Sequence, residues 1–262
     1  MAKVKDIEAY FQKLIPSEMK MDFDNVGLLA GCVDDDVKRV LVALDACGRV
    51  IDEAVEKDAQ LVLTHHPLFF ETKAVSDKSI EGKNIIKLIK NGIAAICLHT
   101  NLDAVDGGVN DALAKAAGVK VQGRLDNFTM ADGREYGIGR YGDLEKPMSM
   151  AEYLPVIKKS LDSFGLRYYD AGRPVHKLAL CGGAGDNYIE KAALLGCDTL
   201  LTSDIKHHRF LEAEARGINL IDGGHFCTEN VVIPLLADML KKGFPQIEVL
   251  VSESSGQVAR FF

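Results

Sequence analysis

The sequence has no apolar run long enough to span a bilayer. It also does not begin with the basic segment followed by an apolar one that marks secretion. The protein is therefore expected in the cytoplasm, with no membrane partner. Its six cysteines include no CxxC pair, which argues against a zinc ribbon and against a disulfide framework. The chain also lacks a P-loop or other glycine-rich phosphate cradle, so a phosphorylated ligand would have to be held by metal ions and basic groups.

An excess of positive charge is missing as well. The formal net charge is −7 over 262 residues, and charges of both signs are interspersed. This balance makes nucleic acid an unlikely partner through a broad basic face, although it does not exclude a local patch. With 47% hydrophobic residues, the composition is that of an ordinary globular chain, long enough for one large or two moderate domains.

Apolar runs that alternate with helical segments predict an α/β fold: two similar α/β halves whose helices flank mixed sheets around a central cleft. Residues 40–64 match residues 178–202 in apolar pattern, without a gap, at a constant offset of 138. The third strands, at 92–96 and 217–221, match at an offset of 125, so the first half carries 13 additional residues. These map to 69–83, which we interpret as a flap over the site.

Any two βαβ units share such a pattern, so unrelated halves would also fit. The expected division assigns 1–124 to a first α/β half, which the C-terminal segment 200–262 continues. It assigns 125–199 to connecting strands, a helix and the second βαβ half. Glycine-containing alternation at the start of that middle segment predicts antiparallel strands and turns. An amphipathic helix is predicted over 150–164, with Gly165 as its C-cap.

Two adjacent histidines, His65 and His66, follow the apolar run 61–63 and precede Pro67. Proline favours extended backbone for the residue before it, so His66 is expected to continue outward from the end of a buried strand. Neighbouring side chains of an extended segment point to opposite sides. Because neutral imidazole is the commonest metal-binding side chain, the two rings could serve two different ions.

Further imidazole and carboxylate groups follow two other predicted strands. His99 and Asp103 come after the third strand of the first half. His225 and Glu229 come after the third strand of the second half, four residues apart and hence on one face of a helix. Ligands of α/β sheets collect at the carboxyl ends of strands, so these groups are expected to converge. The predicted metal ligands are His65, His66, Asp103, His225 and Glu229.

Five ligands exceed what one zinc ion needs, and they fit two divalent ions per subunit that share a bridging carboxylate. The central cleft would then be a metal cleft. Nitrogen and oxygen ligands without thiolate suit zinc, iron, manganese, nickel or cobalt, and they do not distinguish among these metals.

Several of these residues also have structural interpretations. Asp103 could cap the following helix, and Glu229 could interact with a helix dipole. His99 could be a ligand, a buried histidine bonded to the backbone, or a residue that orients a ligand, and it is the first choice for a catalytic proton shuttle. Asp204 and His208, which fall near the repeat position of the histidine pair, are the alternatives for that role. A solvated helix start explains them nearly as well.

Other polar groups are interpreted as structural. Asp24 and Asn25 fit a turn. His176 precedes a strand and has no acidic company. Cys227 lies between the two ligands of the predicted helix but points off their shared face, so it is expected to be packed.

Five stretches of the chain together resemble one known family, the dinuclear-metal proteins called GTP cyclohydrolase I type 2, also known as NIF-three-like proteins. These stretches are Asp24-Asn25-Val26-Gly27-Leu28-Leu29, Thr64-His65-His66-Pro67-Leu68, His99-Thr100-Asn101-Leu102-Asp103, Thr202-Ser203-Asp204-Ile205-Lys206-His207-His208 and Gly224-His225-Phe226-Cys227-Thr228-Glu229. They span nearly the entire chain in order, and the combination is specific although each piece is weak.

The resemblance implies two α/β domains around a cleft, with the ions held by the five predicted ligands and bridged by Glu229. It also implies a homo-oligomer, a toroidal hexamer built as a trimer of dimers. Some members carry an extra domain in the middle. The short segment 125–147 leaves no room for it, so the chain corresponds to the compact form.

The leading hypothesis is a dinuclear metal-dependent hydrolase that acts on a nucleotide or a similar small anionic substrate. A water that bridges two cations has a pKa of about 7 and supplies a nucleophile at neutral pH. The family name implies GTP cyclohydrolase-like opening of a purine ring, with phosphate-ester hydrolysis as a close rival. The alternative is a ring-shaped metal-binding regulatory or interaction protein without catalysis. Structural sites are normally closed by protein ligands, whereas five ligands for two ions leave open positions, which favours catalysis.

Overall fold

The computed structural model describes residues 2–262, and the chain divides into two compact units. The first unit comprises residues 2–102 and 233–256. The second unit comprises residues 103–232 and 257–262. No helix within the described residues combines the length and the apolar character needed to cross a membrane.

The secondary structure alternates between helices and strands along most of the chain. The helices are α1 (Val4–Leu14), α2 (Gly48–Glu56), α3 (Ile80–Lys90), α4 (Thr100–Ala104), α5 (Val109–Ala116), α6 (Met150–Ser160), α7 (Ile189–Leu194), α8 (His207–Arg216), α9 (His225–Asn230) and α10 (Ile233–Gly243). The strands are β1 (Ala2–Lys3), β2 (Gly27–Ala30), β3 (Asp36–Val37), β4 (Arg39–Ala43), β5 (Leu61–Thr64), β6 (Ala94–Cys97), β7 (Val119–Gly123), β8 (Phe128–Thr129), β9 (Glu135–Tyr136), β10 (Arg140–Met148), β11 (Arg167–Tyr169), β12 (Val175–Ala184), β13 (Thr199–Ser203), β14 (Asn219–Asp222) and β15 (Glu248–Val251).

The sheet of the first unit has five strands in the order β15-β4-β5-β6-β2. The first four are parallel, and β2 runs antiparallel to β6 at the edge. Strands β4 and β5 are nearly continuous apolar runs because helices cover the sheet. Ile51 and Ala54 of α2 and Leu88 of α3 pack with the sheet residues Leu41 and Val62, and α10 packs against β15 and β4.

The sheet of the second unit has six strands in the order β11-β14-β13-β12-β10-β7. Strands β12, β13 and β14 are parallel, and the other pairings are antiparallel. Strand β10 and the β8–β9 pair form the antiparallel region that glycine-containing alternation predicted. The mixed α/β fold class predicted from the sequence is confirmed.

Equivalent strands are paired in the two units, and the paired positions differ by the offsets found in the sequence. Val40 pairs with Leu61 in the first unit, and Leu178 pairs with Thr199 in the second, at an offset of 138 for both partners. The pairings of β5 with β6 and of β13 with β14 coincide in the same way, with an offset of 125 for the later strand. The additional residues of the first unit lengthen the connection between β5 and α3.

Residues 200–262 divide differently from the expected assignment to the first half. Strands β13 and β14 belong to the second unit because they pair with β12 and with each other. Only residues 233–256 return to the first unit, where β15 pairs with β4. The predicted ligands Asp103, His225 and Glu229 therefore all belong to the second unit.

Helix α6 is shorter than the helix predicted over 150–164, and the predicted cap at Gly165 is wrong. The helix ends at Ser160, and Asp162 has the left-handed backbone with φ of +49°. The N–H groups of Asp162 and Ser163 donate to carbonyl oxygens of the last turn, which closes the helix before residue 165 is reached.

Arg140 is buried in the second unit and braces the segment that follows Asp103. Its guanidinium donates to both carboxylate oxygens of Asp111, at 3.0 and 2.9 Å. It also donates to the carbonyl oxygens of Val105 and Gly137, at 3.1 and 2.9 Å. A buried guanidinium is tolerated only when it is paired and hydrogen-bonded. These bonds fix the turn between α4 and α5, and with it the backbone next to Asp103.

Glu53 is a buried carboxylate of the first unit that orders the chain after β15. It accepts hydrogen bonds from Ser252 Oγ at 2.6 Å and from the N–H groups of Glu253 and Ser254 at 3.0 and 2.9 Å. Burial opposes ionisation of this group. The hydrogen bonds outweigh burial, however, and they hold the pKa of Glu53 below its ordinary value.

Glu53→Gln should lower the free energy of unfolding by about 1–3 kcal/mol at neutral pH, because the buried carboxylate loses charge-assisted hydrogen bonds. The folded protein binds fewer protons at this site than the unfolded chain. The stabilisation by Glu53 is therefore complete above the pKa that its carboxyl group has in the unfolded chain. It disappears as the pH falls through the lower pKa that the group has in the folded protein. Urea unfolding at several pH values should show the gap between wild type and variant narrowing below about pH 4.5. The exposed neighbour Glu56 supplies the control, Glu56→Gln. A gap that stays constant into strong acid would contradict this account.

Candidate functional site

Three histidines of the first unit form one cluster. His65 and His66 follow β5, and His99 lies between β6 and α4. A ligand nitrogen of each ring lies within 4.8 Å of one from each of the other two. The ring centroids are 5.0 Å apart for His65 and His66, 5.3 Å for His65 and His99, and 5.6 Å for His66 and His99. Because β5 and β6 are neighbouring parallel strands, their carboxyl ends bring the three rings together.

Each of the three rings is held by a hydrogen bond at Nδ1. His65 Nδ1 lies 2.9 Å from the carbonyl oxygen of Leu98, and His66 Nδ1 lies 2.7 Å from Asp45 Oδ1. His99 Nδ1 also bonds to a carboxylate. A carbonyl oxygen or a carboxylate only accepts, so Nδ1 carries the proton in each ring. Nε2 is then the nitrogen whose lone pair can bind a metal ion, the arrangement common among metal-ligating histidines.

Asp24 is the carboxylate that orients His99. Its Oδ1 accepts from His99 Nδ1 at 2.7 Å, and its Oδ2 accepts from the N–H of Thr100 at 3.0 Å and from the Thr100 hydroxyl. Burial raises the pKa of Asp24, but the bonds from His99 and Thr100 outweigh burial and lower it to about 2. The carboxylate is therefore ionised at neutral pH. The sequence pattern alone had suggested only a turn at Asp24 and Asn25.

The second unit brings together Asp103, His225 and Glu229. A carboxylate oxygen of Asp103 lies within 4.8 Å of one from Glu229. His225 and Glu229 are one turn apart on α9, and His225 Nε2 lies 3.1 Å from Glu229 Oε2. Asp204 Oδ2 lies 2.7 Å from His225 Nδ1. Asp204 thus orients a predicted ligand, and its part in proton transfer stays a prediction.

Negative charge dominates this second cluster. Glu229 is 4% exposed and Asp103 is half-buried. The hydrogen bond to Glu229, with a smaller contribution from Asp204, raises the pKa of His225 to about 9 although burial opposes it. Burial, and then the charges of Asp103 and Glu229, raise the pKa of the Cys181 thiol, which therefore stays protonated. Two such carboxylates repel each other unless a cation compensates them, so these imidazole and carboxylate groups could bind a metal ion.

The end of β12 provides the space that Glu229 occupies. Gly183 has φ of +63°, and a Cβ at this position would lie 2.2 Å from Glu229 Oε1. Asn110 is fully buried; it donates to the carbonyl oxygen of Asp103 at 2.9 Å and accepts from the N–H of Gly182 at 3.0 Å. The asparagine therefore ties the backbone beside one predicted ligand to the strand beside the other.

The other residues discussed in the sequence analysis are not among the contacts described above, or they pack or hydrogen-bond elsewhere in the fold. His208 is exposed in the first turn of α8, and its part in proton transfer stays a prediction. Cys227 is buried on α9, as expected for a packed thiol. His176 lies in β12, and its backbone N–H donates to the carboxylate of Asp198 at 3.1 Å.

Asp45→Asn should weaken metal binding about 10–100-fold, because the Asp45 carboxylate fixes the orientation of the His66 ring. Competition with a chelator of known affinity would measure the loss. The control is Asp52→Asn, which removes an exposed carboxylate of α2 that pairs with Lys87. Unchanged affinity in Asp45→Asn would argue against His66 as a ligand.

Comparison with known proteins agrees with the family resemblance seen in the five stretches. A sequence model of the family described as Duf34/NIF3 (NGG1p interacting factor 3) matches residues 2–257. The chain belongs to this family. Among its Duf34/NIF3 relatives, a Clostridium perfringens protein named GTP cyclohydrolase 1 type 2 homolog is 36% identical over 256 residues, which cover 97% of both chains. A Clostridium acetobutylicum protein of the same name is 34% identical over 259 residues, which cover 97% of this chain and 96% of the relative.

The Duf34/NIF3 fold is also found among solved structures. The crystal structure of a hypothetical protein from Staphylococcus aureus matches with a TM-score of 0.91 and 29% identity, covering 99% of each chain. The match therefore extends over both units. The resemblance to the NIF-three-like proteins, read first from the five stretches, is confirmed.

Proposed function

We propose that this Duf34/NIF3 protein is a dinuclear metal-dependent hydrolase that acts on a nucleotide or a similar small anionic molecule. The supporting observation is the chemistry of the two residue sets. One is three imidazoles whose Nδ1 atoms are all bonded to oxygen acceptors, and the other is two carboxylates within 4.8 Å of each other beside a fourth imidazole. The name of the clostridial relatives, GTP cyclohydrolase 1 type 2 homolog, supports a nucleotide as the substrate class.

The proposed ligands of two divalent ions are His65, His66, Asp103, His225 and Glu229, with Glu229 as the bridge. These donors fit such ions, because neutral imidazole nitrogens and carboxylate oxygens suit zinc, iron, manganese, nickel and cobalt alike. When bound, a pair of ions lowers the pKa of water and polarises the bond under attack. The chain's own contribution is to hold the imidazole rings in place through their Nδ1 hydrogen bonds.

His99 is the residue to which we assign proton transfer. Asp24 holds the proton on Nδ1, so Nε2 can accept a proton and give it back during a reaction. The ionised carboxylate of Asp24 stabilises the imidazolium that this transfer forms. Asp204 and His208 are the alternatives, and a pH–rate profile of each variant would distinguish them.

The test is an assay of metal-reconstituted protein against a panel of nucleotides, with elemental analysis of the same preparation. Loss of purine absorbance would indicate ring opening, and release of inorganic phosphate would indicate ester hydrolysis. The proposal requires turnover that depends on added metal and that disappears in His65→Ala and in Glu229→Gln. Bound metal without such turnover would overturn the hydrolase and leave a metal-binding regulatory protein as the better explanation.

The proposal includes assembly into a toroidal homohexamer, which light scattering of the purified protein would test. The same measurement tests the role of the ions. If they serve catalysis, His66→Ala should lose metal while the oligomer stays intact. If the assembly collapses instead, the ions have a structural role.

A further inference from the structure

Two phenylalanines of the first unit are exposed beside His99. Phe23 is 68% exposed and Phe70 is 52% exposed. Their ring centroids lie 6.3 Å apart, and the Phe70 ring lies 5.7 Å from the imidazole of His99. A large aromatic side chain gains most by burial, so a pair left in solvent next to a polar cluster is not explained by packing of the core.

Each of the two phenylalanines is next in sequence to a residue that makes a hydrogen bond, and these bonds position the backbone that carries the two rings. The residue after Phe23 accepts the bond from His99 Nδ1 at 2.7 Å. The side chain of Asn25 donates to the carbonyl oxygen of Phe69, the residue before Phe70, at 3.0 Å. The two rings are thus carried on backbone that is already ordered, which reduces the entropy lost when a ligand binds.

Phe70 belongs to a segment that the fold itself does not require. The connection between β5 and α3 runs over 65–79, whereas the equivalent step of the second unit, from β13 to α8, takes only 204–206. Both units close the same strand-to-helix step, so the longer connection is not needed for the α/β architecture. It overlaps the surplus predicted at 69–83, of which residues 80–83 belong to α3.

We propose that Phe23 and Phe70 form a stacking platform that holds the planar heteroaromatic ring of the substrate, a nucleobase, beside His99. This inference rests on the proposed function and specifies which part of the substrate the first unit recognises. The two rings are tilted by 49°, so a flat ligand can stack on one ring and meet the edge of the other. Every nucleobase has a π face, so the platform selects a base over a bare sugar phosphate without distinguishing guanine from adenine.

Calorimetric titration of the protein with GMP, AMP and ribose 5-phosphate tests the platform. Phe70→Leu and Phe23→Leu should each weaken GMP and AMP binding about 10-fold, since stacking on one aromatic side chain is commonly worth that much or more. Binding of ribose 5-phosphate should not change. Phe70→Tyr keeps an aromatic ring and should retain most of the affinity. The matched control is Phe164→Leu, because Phe164 is also 52% exposed and lies against Arg260. Elemental analysis of each variant checks that the histidine cluster is intact.

Three results would overturn the platform. One is an equal loss of affinity for ribose 5-phosphate, which would show that the rings only support the loop. Another is unchanged GMP binding in the Phe23→Leu, Phe70→Leu double variant. The third is a wild-type protein that binds GMP no better than ribose 5-phosphate, which would leave metal-dependent hydrolysis of phosphate esters untouched. Conversely, base-selective binding by a protein that takes up no metal would support the platform and overturn the hydrolase.

Discussion

Replacement of Glu229 by glutamine should remove most of the bound metal. It should reduce metal-dependent turnover by more than the roughly 10–100-fold typical of residues that only orient a ligand. Glu229 is 4% exposed, lies 3.1 Å from His225 Nε2, and has a carboxylate oxygen within 4.8 Å of one from Asp103. Glutamine has nearly the same shape, so the fit beside Gly183 is kept. What is lost is the negative charge that Glu229 would supply as the proposed bridging ligand.

Two measurements would test this effect: elemental analysis of the purified protein, and the Tm of thermal unfolding at increasing metal concentration. A ligand that binds only the folded state raises its stability, so added metal should raise the Tm of the wild type and leave that of Glu229→Gln nearly unchanged. The control is Glu190→Gln, since Glu190 is an exposed carboxylate of the second unit that pairs with Arg216. If Glu229→Gln bound metal as the wild type does, Glu229 would not be a ligand.

The parallel strands of both units could be predicted from the sequence because buried parallel strands are continuous apolar runs. Residues 40–64 and 178–202 share one offset since each segment contains a complete strand–helix–strand step, with the same number of residues between the paired positions. Periodicity also predicted the start of α6. It did not predict its end, because the closing residue is Asp162, an aspartate in a conformation for which sequence rules favour glycine or asparagine.

The division of the chain was harder to predict than its strands. The predicted division places residues 200–262, which carry His225 and Glu229, in continuation of the first half. In the structure, hydrogen bonding decides: β13 and β14 pair with the second sheet, and only the segment of α10 and β15 joins the first. Shared chemistry between two segments therefore does not show that they share a sheet.

The residues that orient the candidate ligands differ in how visible they are in the sequence. Asp45 follows the apolar run of β4 directly, and the same strand-end argument that singled out His65 would have found it. Asp24 lies in a loop, and its role in orienting His99 follows from the hydrogen bond between the two side chains. Asn110 lies within α5, and nothing in the neighbouring sequence marks it as functional. Its hydrogen bonds to the backbone of Asp103 and Gly182 form only in the folded chain, so they could not be predicted from the sequence.

Replacement of Gly183 by alanine should abolish metal binding. It should lower the free energy of unfolding by little more than the control replacement Gly217→Ala does. A Cβ at position 183 would lie 2.2 Å from Glu229 Oε1 and 3.3 Å from His225 Cε1. The atom in closest conflict is the end of a flexible side chain, so the carboxylate should move away and leave the backbone in place. The left-handed backbone adds about 1–2 kcal/mol of strain for any residue with a Cβ.

Gly217→Ala supplies the matched comparison. Gly217 has nearly the same φ, +61°, and a Cβ there meets nothing within 4 Å. Both variants should therefore lose about 1–2 kcal/mol of stability from backbone strain, measured by urea unfolding of metal-free protein. Only Gly183→Ala should lose metal affinity, measured by chelator competition. Wild-type affinity in Gly183→Ala would mean that the position of Glu229 does not depend on the gap at the end of β12. A selective loss would show that the gap sets the ligand's position, since both variants carry the same backbone strain.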